Sequence, residues 1–85
     1  MLNKKSKIYI AGHNGLVGSA ILRKLREKGY NNLITQTRKE LDLTNQKKVF
    51  EFLKRNKPNF IFLAAAKVGG IHHNNIKRAE FIYEN

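Results

Sequence analysis

The sequence predicts an α/β protein, the N-terminal βαβαβα part of a doubly wound parallel sheet. Three observations carry that expectation. Short apolar runs alternate with stretches of helical periodicity, the connections are short, and a G-x-x-G-x-x-G series directly follows the first apolar run. Alternation of this kind favours parallel strands, because each return to the same end of a sheet needs a crossover, usually a helix.

The elements follow in order. "KIYIA" (7–11) is a β-branched and aromatic run that stops at a glycine, as a buried strand does. From Gly15, the residues Leu16, Val17, Ala20, Ile21 and Leu25 recur at helical spacing, with Arg23, Lys24, Arg26 and Glu27 off that stripe. Gly29 suits the left-handed residue that ends many helices. "NLITQT" (32–37) reads as a second strand. Thr44 or Asn45 caps a second helix, with Val49, Phe50 and Leu53 as its buried stripe and its end near Asn56, ahead of Pro58. "NFIFLAAA" (59–66) is continuously apolar, which fits a strand covered on both faces. After a loop, "KVGGIHHNN", a third helix is expected from about Asn74 to the end, on the spacing of Ile76, Ala79, Ile82 and Tyr83. With strand order 3-2-1, the first strand would lie at an open edge and invite association there.

Composition narrows the function classes. Eighty-five residues suit one small domain, and 41% hydrophobic residues with a single proline suit a folded one. No apolar run approaches the ~20 residues of a membrane span, and the start lacks the pattern of a secretory signal. Without cysteine there are neither disulfides nor thiolate metal sites, and a cytoplasmic setting fits. Seventeen Lys and Arg against six Asp and Glu give a net charge of +11. That charge could serve a nucleic acid, but it is spread along the polar helix faces. No aromatic platform or DNA-reading motif accompanies it.

The glycines carry the chemistry. Gly12 permits a tight strand-to-helix turn, Gly15 lets backbone approach a pyrophosphate, and Gly18 lets the helix pack closely on the sheet. Backbone N–H groups at the helix start would then face the ligand, whose negative charge the helix dipole favours. A bare βα turn would use glycines too. The strand before the series and the helix and strand after it supply the context for a nucleotide. Beyond the second strand, Arg38 is the first charged side chain, suited to the 2′-phosphate of NADP, and Lys39 can assist. Glu40 and Asp42 come later, and Asp42 with Leu43 is placed to frame adenine. Ala64, Ala65 and Ala66 are small enough for a cofactor to lie against the strand end. Lys67, Gly69 and Gly70 continue toward the expected nicotinamide side. His72 and His73 lack a third ligand, so no metal is expected.

"AGHNGLVGSAI", "TRKELDLTN" and "FLAAAKVGGIHHNN", followed by "FIYEN", resemble the N-terminal part of the GDP-L-fucose synthase family, in the extended branch of the short-chain dehydrogenases/reductases. The resemblance implies a partial Rossmann-type NADP-binding domain over residues 1–85. Its cofactor would be held by Gly12, His13, Asn14, Gly15, Leu16, Val17 and Gly18 at the pyrophosphate and by Arg38 at the 2′-phosphate. Asp42, Leu43 and Ala64–Ala66 would lie along the adenosine. Some members have arginine at the position of Asn14, so selectivity would rest more heavily on Arg38 here.

The resemblance also implies NADPH-dependent 4-reduction and 3,5-epimerisation of a GDP-sugar by a homodimer. The family's catalytic serine, Tyr-x-x-x-Lys pair and epimerisation cysteine and histidine lie downstream of this segment. Tyr9 and Tyr30 are not followed by lysine four residues on, and Tyr83-Glu84-Asn85 is not that motif. Another nucleotide-sugar enzyme of the extended branch shares the cofactor motifs, and a small basic nucleic-acid-binding module is the remote alternative.

Overall fold

A computed structural model describes residues 3–64 and the strand 80–83. Among the described residues six elements follow in order: β1 (Ile8–Ala11), α1 (Leu16–Glu27), β2 (Leu33–Ile34), α2 (Gln46–Asn56), β3 (Phe60–Leu63) and β4 (Glu80–Tyr83). The four strands form one sheet in the order β2-β1-β3-β4, with every neighbouring pair parallel.

The alternation of a strand's side chains distributes the core over two faces. Tyr9 and Ala11 join Ile61 and Leu63 on one face, covered by Val49, Phe52 and Leu53 of α2 and by Leu41. Ile8 and Ile10 join Phe60 on the other, covered by Leu25, Ile21 and Leu22 of α1. All four β1 residues are therefore buried, as a strand between two helical layers must be. The Tyr9 ring packs 4.9 Å from that of Phe52, and burial pushes its phenol pKa up.

The helix ends follow local chemistry. α1 closes in a Schellman arrangement: Tyr30 N–H donates to the Leu25 carbonyl, Gly29 N–H to that of Arg26, and Gly29 takes φ 92°. α2 begins at Asn45, whose side chain accepts from the Lys48 N–H, and stops at Lys57 (φ 49°) just before Pro58.

Four expectations change. β1 lies inside the sheet, between β2 and β3, not at an open edge, so association through its edge has no basis here. β2 offers only two ladder positions, whereas β3 pairs with β1 over four, from Ile8↔Phe60 to Ala11↔Leu63. The second crossover carries the chain past β1 to its other side.

Residues 80–83, expected to be helical, form β4, with Phe60↔Glu80 through Leu63↔Tyr83 in register. "EFIY" is rich in aromatic and β-branched residues, and the second edge of β3 offers unpaired backbone groups. The rest of the expected third helix lies outside the described residues.

Two stripes also shift in phase. In α2 the buried positions are Val49, Phe52 and Leu53, while Phe50 is 43% exposed. In α1 they are Gly18 and Leu25, with Ile21 and Leu22 half-buried; Leu16, Val17 and Ala20 are exposed. The close seat of Gly18 sets the helix rotation and turns the 16–17–20 side outward.

Candidate functional site

The two crossovers from β1 and β2 run to opposite sides of β1, so the strand order reverses beside the carboxyl ends of β1 and β3. Ligands of open α/β sheets bind at such a reversal. Here the loop after β1 meets the segment after β2 in an open pocket of about 350 Å³. Gly12, His13, Asn14 and Gly15 line one wall. Gln36, Arg38 and the Leu41–Thr44 segment line the other.

Each glycine of the loop meets a different constraint. Gly12 has φ 91°, a left-handed conformation that side chains rarely adopt. A Cβ on Gly18 would lie 2.6 Å from the Gly12 carbonyl carbon, so the first turn of α1 packs directly on the loop's backbone. The close packing expected against the sheet thus falls on the loop that follows β1. Gly15 differs from both. Its backbone is extended, and a Cβ there would meet only the Gly12 carbonyl oxygen, at an ordinary 3.5 Å. Gly15 is the N-cap of α1, a place glycine suits, and among the described residues no side chain crowds its outer side, so a ligand can approach the backbone there.

α1 also starts without a side-chain cap and with no acidic residue in its first turn. Its leading N–H groups have no partner within the helix, so they suit an anion placed over Gly15. The donor set therefore fits a pyrophosphate.

The opposite wall is built from two turns. Thr37 N–H donates to Glu40 Oε1 at 2.7 Å, Glu40 N–H donates to Thr37 Oγ1 at 3.2 Å, and Leu41 N–H donates to the Thr37 carbonyl. This capping-box pattern encloses Arg38 and Lys39 and seats Leu41 in the core. Next, Asp42 Oδ1 accepts from both the N–H and the hydroxyl of Thr44, at 2.9 and 2.7 Å. Both carboxyls are held below their ordinary range: Glu40 chiefly by the Thr37 backbone N–H, Asp42 chiefly by the Thr44 hydroxyl.

Of the residues singled out from sequence, Gly12, His13, Asn14, Gly15, Arg38, Asp42 and Leu43 come together around this pocket. Leu16 and Val17 stand at the start of α1, exposed, and Gly18 lies beneath the turn, so these three do not line it. Ala64 follows β3 and donates its N–H to the Ala11 carbonyl at 3.0 Å, also outside the lining. Ala65, Ala66, Lys67, Gly69, Gly70, His72 and His73 lie outside the described residues.

Gln36, Leu41 and Thr44 line the pocket without having been singled out as site residues. Their signal was hidden: Gln36 reads as strand, Thr44 as a cap, and Leu41 as an isolated apolar residue. Among the described residues no group of three or more His, Cys, Asp or Glu could hold a metal, and no helix is long and apolar enough to cross a membrane.

A parallel sheet with helices on both faces, and a glycine turn leading into an uncapped helix at the strand reversal, defines a Rossmann-type nucleotide-binding unit. The family model of the NAD dependent epimerase/dehydratase family matches residues 8–85, and the chain belongs to that family. It is 56% identical over 85 residues, 100% of its length, to GDP-L-fucose synthase 1 of Arabidopsis thaliana, of which it covers 26%. It is 47% identical over 81 residues, 95% of its length, to GDP-L-fucose synthase of Escherichia coli, of which it covers 25%. A GDP-mannoheptose C4 reductase from Campylobacter jejuni, solved with NADP bound, superposes with a TM-score of 0.77 at 48% identity. That match covers 79% of this chain and 21% of the reductase. The chain thus spans about a quarter of the length of the curated relatives it matches.

Proposed function

We propose that this chain is the NADP-binding part of a longer GDP-L-fucose synthase. Such an enzyme converts GDP-4-keto-6-deoxy-D-mannose to GDP-L-fucose by 3,5-epimerisation and NADPH-dependent 4-reduction. One observation carries the cofactor reading: the cation Arg38 and the Gly12–Gly15 turn share one pocket. The high identity to GDP-L-fucose synthases along the whole chain supports the substrate class.

In this reading the N–H groups at the start of α1 receive the pyrophosphate, and Gly15 lets it approach the backbone. Arg38 holds the 2′-phosphate as a bidentate donor. Asp42, Leu41 and Leu43 border the adenine, with Ala64–Ala66 further along the adenosine. When bound, NADPH supplies a hydride to the sugar carbonyl. The residues of this chain bind and orient it, and residues of the longer protein donate protons. That protein acts as a cytoplasmic homodimer, without nucleic acid or membrane as partner.

Arg38→Ala in the full-length protein tests the assignment. NADPH affinity is expected to fall by about a hundredfold, the scale of one charge-assisted bidentate pair, with NADH little affected. An unchanged NADPH to NADH ratio would remove Arg38 from the 2′-phosphate site. A second reading, a reductase acting on a different GDP-sugar, is favoured by the likeness to the GDP-mannoheptose enzyme. Identifying the product formed from GDP-4-keto-6-deoxy-D-mannose and NADPH separates the two.

A further inference from the structure

An acid shortly after the second strand of a Rossmann unit ordinarily accepts the ribose 2′-hydroxyl and so selects NAD. This chain has an acid there, Glu40, two residues beyond Arg38. The structure shows what occupies that carboxylate. Its Oε1 accepts the Thr37 N–H at 2.7 Å, while its own N–H is held by Thr37 Oγ1 at 3.2 Å. Glu40 does not line the pocket, whereas Arg38, inside the same turn, does. The far end of the turn is anchored by Leu41, 5% exposed and packed in the α2 face of the core. The near end continues from β2, whose two ladder residues give it little rigidity of its own.

We infer that Glu40 is a positioning residue for the 2′-phosphate site: its reciprocal hydrogen bonds with Thr37 fix the turn that presents Arg38 and keep its own carboxylate away from the phosphate. The inference rests on the NADP reading above. An exposed arginine side chain loses several rotamers when it grips a phosphate, so a turn already closed lowers the ordering left to binding. The carboxylate remains charged. The Thr37 N–H first, then the Thr37 hydroxyl and, more weakly, His13 on the facing wall hold its pKa below the ordinary range. The turn is what directs it off the pocket lining.

The test separates this role from plain electrostatics, because the two differ in sign. Binding of 2′,5′-ADP and of 5′-AMP is measured by calorimetry for the full-length protein and for Glu40→Ala, Glu40→Gln and Thr37→Val. The 2′-phosphate increment is the ratio of the two dissociation constants. Glu40→Ala is expected to shrink it about fivefold, one hydrogen bond's worth, with 5′-AMP binding unchanged. Glu40→Gln keeps an acceptor for the Thr37 N–H and is expected to retain the full increment. Thr37→Val, which removes only the hydroxyl acceptor at nearly constant volume, is expected to shrink it in the same direction.

Tighter 2′,5′-ADP binding by Glu40→Ala would show a merely repulsive charge and overturn the inference. Equal losses in Glu40→Ala and Glu40→Gln would overturn it as well. A wild-type protein with no preference for 2′,5′-ADP over 5′-AMP would instead bring down the NADP reading beneath it.

Discussion

α1 and α2 are nearly equal in length, 12 and 11 residues, and cover opposite faces of the same sheet, yet their N-termini are built in opposite ways. α2 begins with Asn45 capping the Lys48 N–H, preceded by Asp42 tied to Thr44. Its start is closed by the chain's own side chains. α1 begins at a glycine with no side-chain cap and with Leu16 and Val17 exposed, although neither helix has an acid in its first turn. A serine or aspartate at 15 would cap this start with its own side chain; glycine there leaves the leading N–H groups to solvent or to a ligand. The contrast teaches that one N-terminus is closed by the chain's own side chains, while the other has its N–H groups free for the anion of the proposed cofactor.

The contrast can be broken by exchanging the constraints. The largest stability effect is expected at Gly18. Alanine there gains about 1 kcal/mol of helix propensity, but its Cβ collides with the backbone of Gly12, and overpacking against backbone is at the high end of about 1–3 kcal/mol. Gly18→Ala should therefore lose about 2 kcal/mol net in urea unfolding of the full-length protein. Stability equal to wild type would mean that the turn and α1 are not in close contact.

Asn45→Ala should cost about 1 kcal/mol, the usual loss of a cap, and leave NADPH affinity unchanged. A loss of affinity there would erase the distinction between the two helix starts.

The smallest effect concerns acid. Glu40 and Asp42 have pKa values lowered by their turns, so their folded values lie below the unfolded ones. The stability they contribute is then complete above the ordinary carboxylate range, about pH 4, and is lost as the pH falls through the lowered values. In an acid titration followed by NMR, the carboxyl shifts of both residues should move at lower pH in the wild type than in a peptide spanning 36–45. Coincident titrations would show that the turns do not hold these carboxylates.

Much of this contrast was legible in the sequence, because it rests on local chemistry. The glycine spacing, Gly29 after α1, Asn45 ahead of α2 and Pro58 behind it each act within a turn of the residue that carries them. The alternation of elements, and with it the doubly wound sheet, was legible for the same reason.

What escaped depends on contacts distant in sequence. Phe50 and Phe52 are both apolar neighbours of Val49, and only the rotation of α2 against Tyr9 and Ile61 selects Phe52. Leu16, Val17 and Ala20 match helical spacing as well as Gly18, Ile21, Leu22 and Leu25 do. Gly18 decides between the two sets through its fit to Gly12, and glycine gives no hydrophobic signal. The order β2-β1-β3-β4 is a matter of pairing between strands distant in sequence, with two ladder positions for β2 on β1 and four each for β3 on β1 and β4 on β3. Periodicity does not report it. In the site, Arg38 and Asp42 could be named from the segment after β2. That Glu40 is occupied by Thr37 is a matter of hydrogen-bond geometry, visible only in the fold.

The claim that α1 is left open for the cofactor is tested most directly by Gly15→Ala in the full-length protein. Among the described residues its Cβ meets only the Gly12 carbonyl oxygen, at 3.5 Å, so only the weaker N-cap of alanine counts and stability should fall by no more than about 1 kcal/mol. NADP affinity, measured by calorimetry, should fall by at least about tenfold, because the methyl group occupies the space the pyrophosphate needs. Undiminished NADP affinity in the folded variant would contradict the account.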